Sequence, residues 1–480
     1  MSDATTKHFI AGEWRTGTGS TMADLNPSTG KTLAEFPVGT AEEVDSAVRA
    51  AREAFENGWR ESTPTVRRRL LLKLAELIGS NAMDIGKVAS EDMGMPWAFT
   101  MGEAMYCADY VEYFAGWADK LTGEHIPLSA GNALDYTIHE PRGVVGAIVP
   151  WNAPVSLALS RLAPAVAAGN SIVIKPSELA PLPILKLMDL VAEAGFPPGV
   201  VNCVTGSGPD TGAALVEHPG VDVVVFTGSS ATGRRVAETA GRRLVPVSLE
   251  LGGKSANLIF ADADLDAAVA QAGVGCFINT GQQCIAGSRV LVEESVHDEF
   301  VDKLAGFAAN WAVGDPMQPT TQMGPLISET ALQRVLGYVD EARDGAEVAY
   351  GGERLGGDLA DGYFVSPTIV TRVRNDMRIA REEIFGPVIS VITFRDEAEA
   401  IAIANDTTYG LAGGVWTNNV NRAHRVAKQI QAGTVWVNSW LVLNPQAPFG
   451  GYKASGVGRT GGREAFDVYL QTKNIYAQLL

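Results

Sequence analysis

Two residues of this chain are suited to covalent chemistry. Cys284 ends the run Phe277-Ile278-Asn279-Thr280-Gly281-Gln282-Gln283-Cys284, and Glu250 lies in Leu249-Glu250-Leu251-Gly252-Gly253-Lys254-Ser255. A thiolate is a nucleophile, and a carboxylate between apolar neighbours is a base that can move a proton near neutral pH. Most lone cysteines are small buried hydrophobes. Cys107, Cys203 and Cys276, each in apolar or aromatic surroundings, fit that description; Cys284, in a polar turn with a glycine, does not. Because 284 − 250 = 34 residues separate the pair, only the fold can bring them together. A third candidate is Asn152, in Pro150-Trp151-Asn152-Ala153-Pro154. Asparagine often only caps a turn, but between two prolines at a strand end its amide is also a preorganised donor.

Other motifs suit a nucleotide. Phe226-Thr227-Gly228-Ser229-Ser230-Ala231-Thr232-Gly233 runs from a strand into a helix whose first backbone N–H groups can meet a pyrophosphate. Gly228 permits close approach there, and the Ser229 hydroxyl can donate to a phosphate oxygen. The earlier Gly206-Ser207-Gly208-Pro209-Asp210-Thr211-Gly212 departs by one residue from the dinucleotide fingerprint. Lys175-Pro176-Ser177-Glu178 follows a strand, at the sheet edge where nucleotides bind. A carboxylate at Glu178 can accept from ribose hydroxyls and repels a 2′-phosphate.

The elements that must position these residues alternate. Apolar, β-branched runs at 144–149, 171–174, 200–204, 221–226 and 256–260 read as buried strands. Helical periodicity separates them at 156–168, 183–194, 210–218 and 233–242. This alternation predicts a doubly wound parallel sheet covered on both faces. A second α/β unit spans about 265–434, with helices at 298–311 and 329–344 and a strand at 388–394. The N-terminal part predicts one hairpin, from 9–14 to 32–38, then helices at 41–56 and 64–80.

From about Ile10 to Tyr476 these motifs, in this order, resemble the NAD(P)-dependent aldehyde dehydrogenase superfamily. The resemblance implies an α/β fold of two doubly wound domains plus a small β oligomerisation arm. It divides the chain into an NAD-binding domain (1–122 and 143–253), a catalytic domain (254–454), and an arm with its tail (123–142 and 455–480). It makes Cys284 the nucleophile and Glu250 the base that activates water on a thioester. Asn152 and the backbone N–H of Cys284 become the oxyanion hole. For the cofactor, NAD with NADP as a weaker alternative, it places Gly228, Ser229 and Gly233 at the phosphates and Lys175 and Glu178 at the adenosine ribose. Glu383 and Phe385, in Glu382-Glu383-Ile384-Phe385-Gly386-Pro387-Val388, go to the nicotinamide end. Ile148, Pro150, Trp151, Gly208, Phe226 and Leu251 complete the cofactor set, and no metal is implied. One position departs from the pattern. Many relatives follow the Arg of Gly456-Val457-Gly458-Arg459 with Glu, where this chain has Thr460, which cannot be a base.

Aligned on these motifs, the aldehyde tunnel takes Tyr106, Ala153, Leu157, Ser160, Gln283, Ile285, Trp440, Leu443 and Phe449. Small residues at Ala153 and Ser160, with no Arg or Lys in the set, suggest a bulky uncharged aldehyde (aromatic, terpenoid or medium-chain). A cage of Tyr106, Trp440 and Phe449 would instead suit a cationic aminoaldehyde or betaine aldehyde. A coenzyme A-acylating enzyme is disfavoured by Glu250, and a non-catalytic homologue by the intact trio.

Composition bounds the partners. A net charge of 38 − 55 = −17 repels phosphate backbones and argues against nucleic acid. The four cysteines lack any framework spacing, and the polar start lacks an apolar leader, which together predict a cytoplasmic enzyme. The long apolar stretch 143–169 is broken by prolines, Asn152 and Arg161, so it predicts no membrane span. The extended arm at 123–142 and the apolar tail at 474–480 predict a homo-oligomer, a tetramer or a dimer, with the arm paired to a neighbour's sheet.

Overall fold

The structure is a computed structural model that describes residues 7–129 and 131–479. The polar residues 1–6 and the last leucine of the apolar tail lie outside the described residues.

Val-rich runs buried on both faces build the centre of an eight-stranded sheet. Val144–Ile148 lies between Ser171–Lys175 and Val223–Thr227, all parallel. Val201–Cys203 follows outside the former and Val247–Glu250 outside the latter. Strand order therefore reverses between Val144–Ile148 and Val223–Thr227, the switch point where such sheets open a crevice past their carboxyl ends. Asn152 follows one of these two strands and Gly228 the other. Antiparallel strands close both edges, Gly456–Val457 against Val247–Glu250 and His8–Ile10 against Val201–Cys203.

A seven-stranded sheet forms the second unit. Its parallel strands are Thr368–Thr371, Val388–Phe394, Arg289–Glu293, Ala256–Ile259, Ala412–Trp416 and Thr434–Val437, in that spatial order. Glu347–Tyr350 is antiparallel at one edge. This sheet closes the 34-residue gap. Ala256 pairs in register with Arg289, so 256 − 250 = 6 residues before one partner stands Glu250, and 289 − 284 = 5 before the other stands Cys284.

Three expectations need correction or refinement. The N-terminal run forms two hairpins, His8–Ile10 with Glu13–Arg15 and Thr21–Leu25 with Thr32–Pro37. Ala11 and Gly12, at φ 55° and 81°, give the first run its own two-residue turn. The helix expected at 210–218 is present with an irregular start, a π-helical turn at Gly208–Gly212 that continues as an α-helix over Ala213–Glu217. The arm strand Ala133–Pro141 pairs along its whole length with Leu470–Gln478 of its own chain. Its other edge takes hydrogen bonds with residues 124 and 126, so it is not the open edge the sequence suggested. Two helices absent from the sequence reading, Ala82–Met93 and Trp97–Ala115, are separated at Gly94, whose φ of 82° caps the first. The second walls the cavity described next.

Candidate active site

The turn that carries Cys284 is strained and held from several sides. Asn279, Thr280 and Gly281 all have left-handed backbone, at φ 51°, 55° and 68°. For a β-branched residue such as Thr280 that conformation is costly, on the order of 1–3 kcal/mol. The surroundings compensate. The Thr280 hydroxyl donates to Gly324 O at 3.0 Å, and Gln282 Oε1 accepts the Ile327 N–H at 2.9 Å. Gly281 is irreplaceable on space, since a Cβ there would fall 2.1 Å from Gly386 O.

Asn152 is fixed by the same turn. Its Nδ2 donates to Gln282 O at 2.9 Å, and its own carbonyl accepts from Asn279 Nδ2 at 2.8 Å. One of its two amide hydrogens is thereby used for orientation, and the other is available to a developing oxyanion. Asn279 is a site residue that the sequence reading passed over. Its only signal was being a polar side chain in the nucleophile's turn.

Glu250 ends its strand and is 5% exposed, and neither carboxylate oxygen has a hydrogen-bond partner in the protein. Burial pushes its pKa up to about 8, against the pull of Arg161 and Arg459. Burial, then Glu383 and Glu250, push the Cys284 thiol up to about 12, so the resting side chain is a thiol. Gly253 lets the two segments abut, because a Cβ there would lie 2.4 Å from Cys284 O.

A cavity of about 360 Å3 joins these groups, a size suited to a small ligand. Tyr106, Ala153, Leu157, Ser160, Gln283, Ile285, Leu443 and Phe449 line it, as expected. Trp440 does not. It is 3% exposed, donates from Nε1 to Ile285 O at 3.2 Å, and packs on Gly275, Gly287 and Gly414, behind the wall rather than in it. Two charged residues outside the expected set line the cavity, Glu103 and Arg161. Glu103 was recoverable in principle, since positions 103, 106 and 110 share one face of a helix and Tyr106 was already chosen.

The match to the aldehyde dehydrogenase family covers residues 14–475. The chain belongs to the aldehyde dehydrogenase family. An aldehyde dehydrogenase of Enchytraeus buchholzi is 45% identical over 98% of this chain and 96% of its own length. Retinal dehydrogenase 2 of Mus musculus is 44% identical, over 99% of this chain and 92% of its own. The crystal structure of betaine aldehyde dehydrogenase from Staphylococcus aureus in complex with NAD+ superposes with a TM-score of 0.98 at 38% identity, covering 99% and 96% of the two chains. The protein is accordingly an NAD(P)-dependent aldehyde dehydrogenase, an oxidoreductase of the aldehyde group. Among the described residues no helix is long and apolar enough to cross a membrane, and no His, Cys, Asp and Glu cluster could hold a metal ion.

The cofactor cleft of this aldehyde dehydrogenase fits NAD at both ends. Lys175 Nζ donates to Glu178 Oε2 at 2.9 Å past the strand end. Burial alone would raise the Glu178 carboxyl, but Lys175 and the backbone N–H groups of Glu178 and Gly208 outweigh it and hold the carboxyl below its usual range. A carboxylate kept ionised there can take ribose hydroxyls and repels a 2′-phosphate. At the other end Glu383 Oε1 accepts the Gly253 N–H at 3.0 Å, and Phe385 meets Trp151 edge-on at 5.5 Å. Ile148 and Pro150, at and just past the strand end, are half-buried.

The middle of the cleft differs from expectation. The Ser229 hydroxyl caps the helix Ser230–Arg242, accepting the Thr232 N–H at 3.2 Å and lying 3.0 Å from Thr232 Oγ1. That leaves the backbone N–H groups of the helix start to meet a phosphate. Phe226 and Leu251 are buried core residues packed beneath Gly228 and Gly233, so they support the cleft from behind.

Proposed function

We propose that Cys284, Glu250 and Asn152 carry the oxidation, each in a separate role. The Cys284 sulphur attacks the aldehyde carbon, and its thiol proton passes to solvent water as the thiohemiacetal alkoxide forms. The second amide hydrogen of Asn152 and the Cys284 N–H hold the alkoxide, a kind of contact worth roughly 10²–10³ in rate. NAD, when bound, supplies the hydride acceptor. Once the hydride has left, a thioester remains on Cys284. Glu250 takes a proton from water, the hydroxide adds to the thioester, and the carboxylic acid leaves as the thiol re-forms.

We further propose that the aldehyde carries a positive charge close to its carbonyl, as aminoaldehydes and betaine aldehyde do. The observation that carries this reading is Glu103. Its carboxylate lies in the wall of an otherwise largely apolar cavity, with Oε1 buried and lacking a partner. Burial raises its pKa, against hydrogen bonds from Ser156. A cation beside it would restore the charged form and relieve an uncompensated buried acid. Tyr106 and Tyr110, with ring centroids 6.2 Å apart on the same helix face, add two π faces for an ammonium group. The likeness to the S. aureus betaine aldehyde dehydrogenase agrees. A second reading, a bulky uncharged aldehyde, is favoured by the aliphatic wall of Leu157, Ile285 and Leu443, by the absence of Trp440 from any cage, and by the likeness to mouse retinal dehydrogenase 2.

Betaine aldehyde and 3,3-dimethylbutanal decide between the readings, because they differ in charge but scarcely in shape. The expected kcat/KM favours the cation by about tenfold or more, and Glu103→Gln should remove most of that preference. Equal or better use of the neutral isostere would support the second reading instead.

The arm also supports self-association. Leu134, Tyr476 and Leu479 are exposed on the paired strands Ala133–Pro141 and Leu470–Gln478 or just past their end. Among the described residues, the outer edge of Leu470–Gln478 pairs with no other strand. We propose a homo-oligomer, tetramer or dimer, closed through this arm, and a cytoplasmic setting, consistent with four cysteines that form no disulphide. Light scattering should give a multiple of 50.7 kDa, and deletion of residues 474–480 should lower it. A fully active 50.7 kDa particle at micromolar concentration would refute the assembly.

A further inference from the structure

We infer that Arg161 is a positioning residue for the hydrolytic half of the reaction: its guanidinium, seated on Thr227 beside Glu250, is the fixed charge that keeps Glu250 a working carboxylate. The inference rests on Glu250 being the hydrolytic base.

The placement follows from strand register. Thr227 and Glu250 are register partners on adjacent parallel strands. Their backbones therefore lie about 4.8 Å apart and their side chains leave the same face. Arg161, on the helix Pro154–Ala167, donates from Nη2 to Thr227 Oγ1 at 2.7 Å, which brings the guanidinium to the neighbour of Glu250. All three residues line the catalytic cavity. Arg161 is 1% exposed, and its Nε and Nη1 have no partner in the protein, just as both oxygens of Glu250 have none. A buried unpaired cation and a buried unpaired carboxylate are each expensive alone, and proximity offsets part of both costs.

The other groups facing this pair are few. Arg459 approaches Glu250 from the C-terminal segment, and Cys284 from the nucleophile turn. Tyr110 and Tyr469 lie in the field of Arg161. Thr460 stands in the cavity wall with its hydroxyl 3.4 Å from Phe449 O, so no carboxylate from that position neighbours Glu250. Arg161 acts on Glu250 through its charge and forms no bond to it. Burial pushes Glu250 towards about 8, and Arg161 is the first of the two charges that oppose it. Without Arg161 the carboxyl titrates higher. The ionised fraction at neutral pH then falls, and water activation falls with it.

The test is the pH dependence of acyl-enzyme hydrolysis, measured in single turnovers on the full-length protein. In Arg161→Met the rising limb should move up by about one pH unit or more, with hydrolysis at pH 7 slowed roughly tenfold. Arg161→Lys, which keeps the charge, should return the limb most of the way. An unmoved limb in Arg161→Met, or equal impairment in Arg161→Lys, overturns the inference. Should Arg161→Met not fold, Thr227→Val frees the guanidinium without removing any charge and must move the limb in the same direction; an unmoved limb there also overturns it. In a Glu250→Gln background Arg161→Met should add no further loss. Wild-type hydrolysis by Glu250→Gln alone would identify the failed premise as Glu250 rather than Arg161.

Discussion

Cys284→Ala is expected to abolish NADH formation, by roughly 10⁴-fold or more, while Cys276→Ala leaves turnover near wild type. The contrast follows from where the two sulphurs lie. Cys276 is fully buried under the second sheet, its sulphur 3.5 Å from Val388 O. Cys284 opens onto the cavity, below a turn whose three left-handed residues set its direction. Removing its sulphur removes the only bond through which the aldehyde could be held, and no other cysteine lining the cavity can replace it. Cys107 also reaches the cavity wall, but it is fully buried, whereas Cys284 is partly exposed. Alkylation of Cys284 should track the loss of activity. It should also accelerate with pH across the whole accessible range, because the thiol is pushed up to about 12. Near wild-type NADH production by Cys284→Ala, or its loss in Cys276→Ala, would remove Cys284 from the mechanism.

Glu250→Gln is expected to separate the two half-reactions. The first mixing with aldehyde and NAD should give a burst of NADH near one equivalent per site. Steady turnover should then be slowed by roughly 10²–10⁴, the usual contribution of a positioned general base. The pH dependence has a definite sign. Only the ionised carboxylate accepts a proton, and burial raises the Glu250 pKa to about 8. Hydrolysis by the wild type should therefore rise with pH through about 8 and be largely suppressed below it. The glutamine variant should lack that limb. Equal loss of the burst and the steady state would place Glu250 in acylation instead.

Two of the departures at the site have a common physical origin. Trp440 was placed in the tunnel by alignment of the motifs, but three glycines, Gly275, Gly287 and Gly414, leave a slot behind the wall that an indole fills. Arg161 was read only as a break in an apolar stretch, yet the same helix that buries it points it at Thr227. In both cases the side chain's direction depends on what packs against it, and one-dimensional spacing carries no record of that.

What the sequence determined by itself was chemical and local. The polar turn before Cys284 and the prolines flanking Asn152 mark the candidates for nucleophile and donor, because their backbone demands are written in adjacent residues. The valine runs identify buried parallel strands, because burial on both faces leaves no position for a polar residue. Only the tertiary structure decided how these parts meet. Register between Ala256 and Arg289 brings Glu250 to Cys284, register between Thr227 and Glu250 sets a buried arginine beside the base, and the Leu470–Gln478 strand closes the arm's edge within the chain. Pairing of strands distant in the chain is chosen by the packing of the whole sheet, so no local stretch of sequence encodes it.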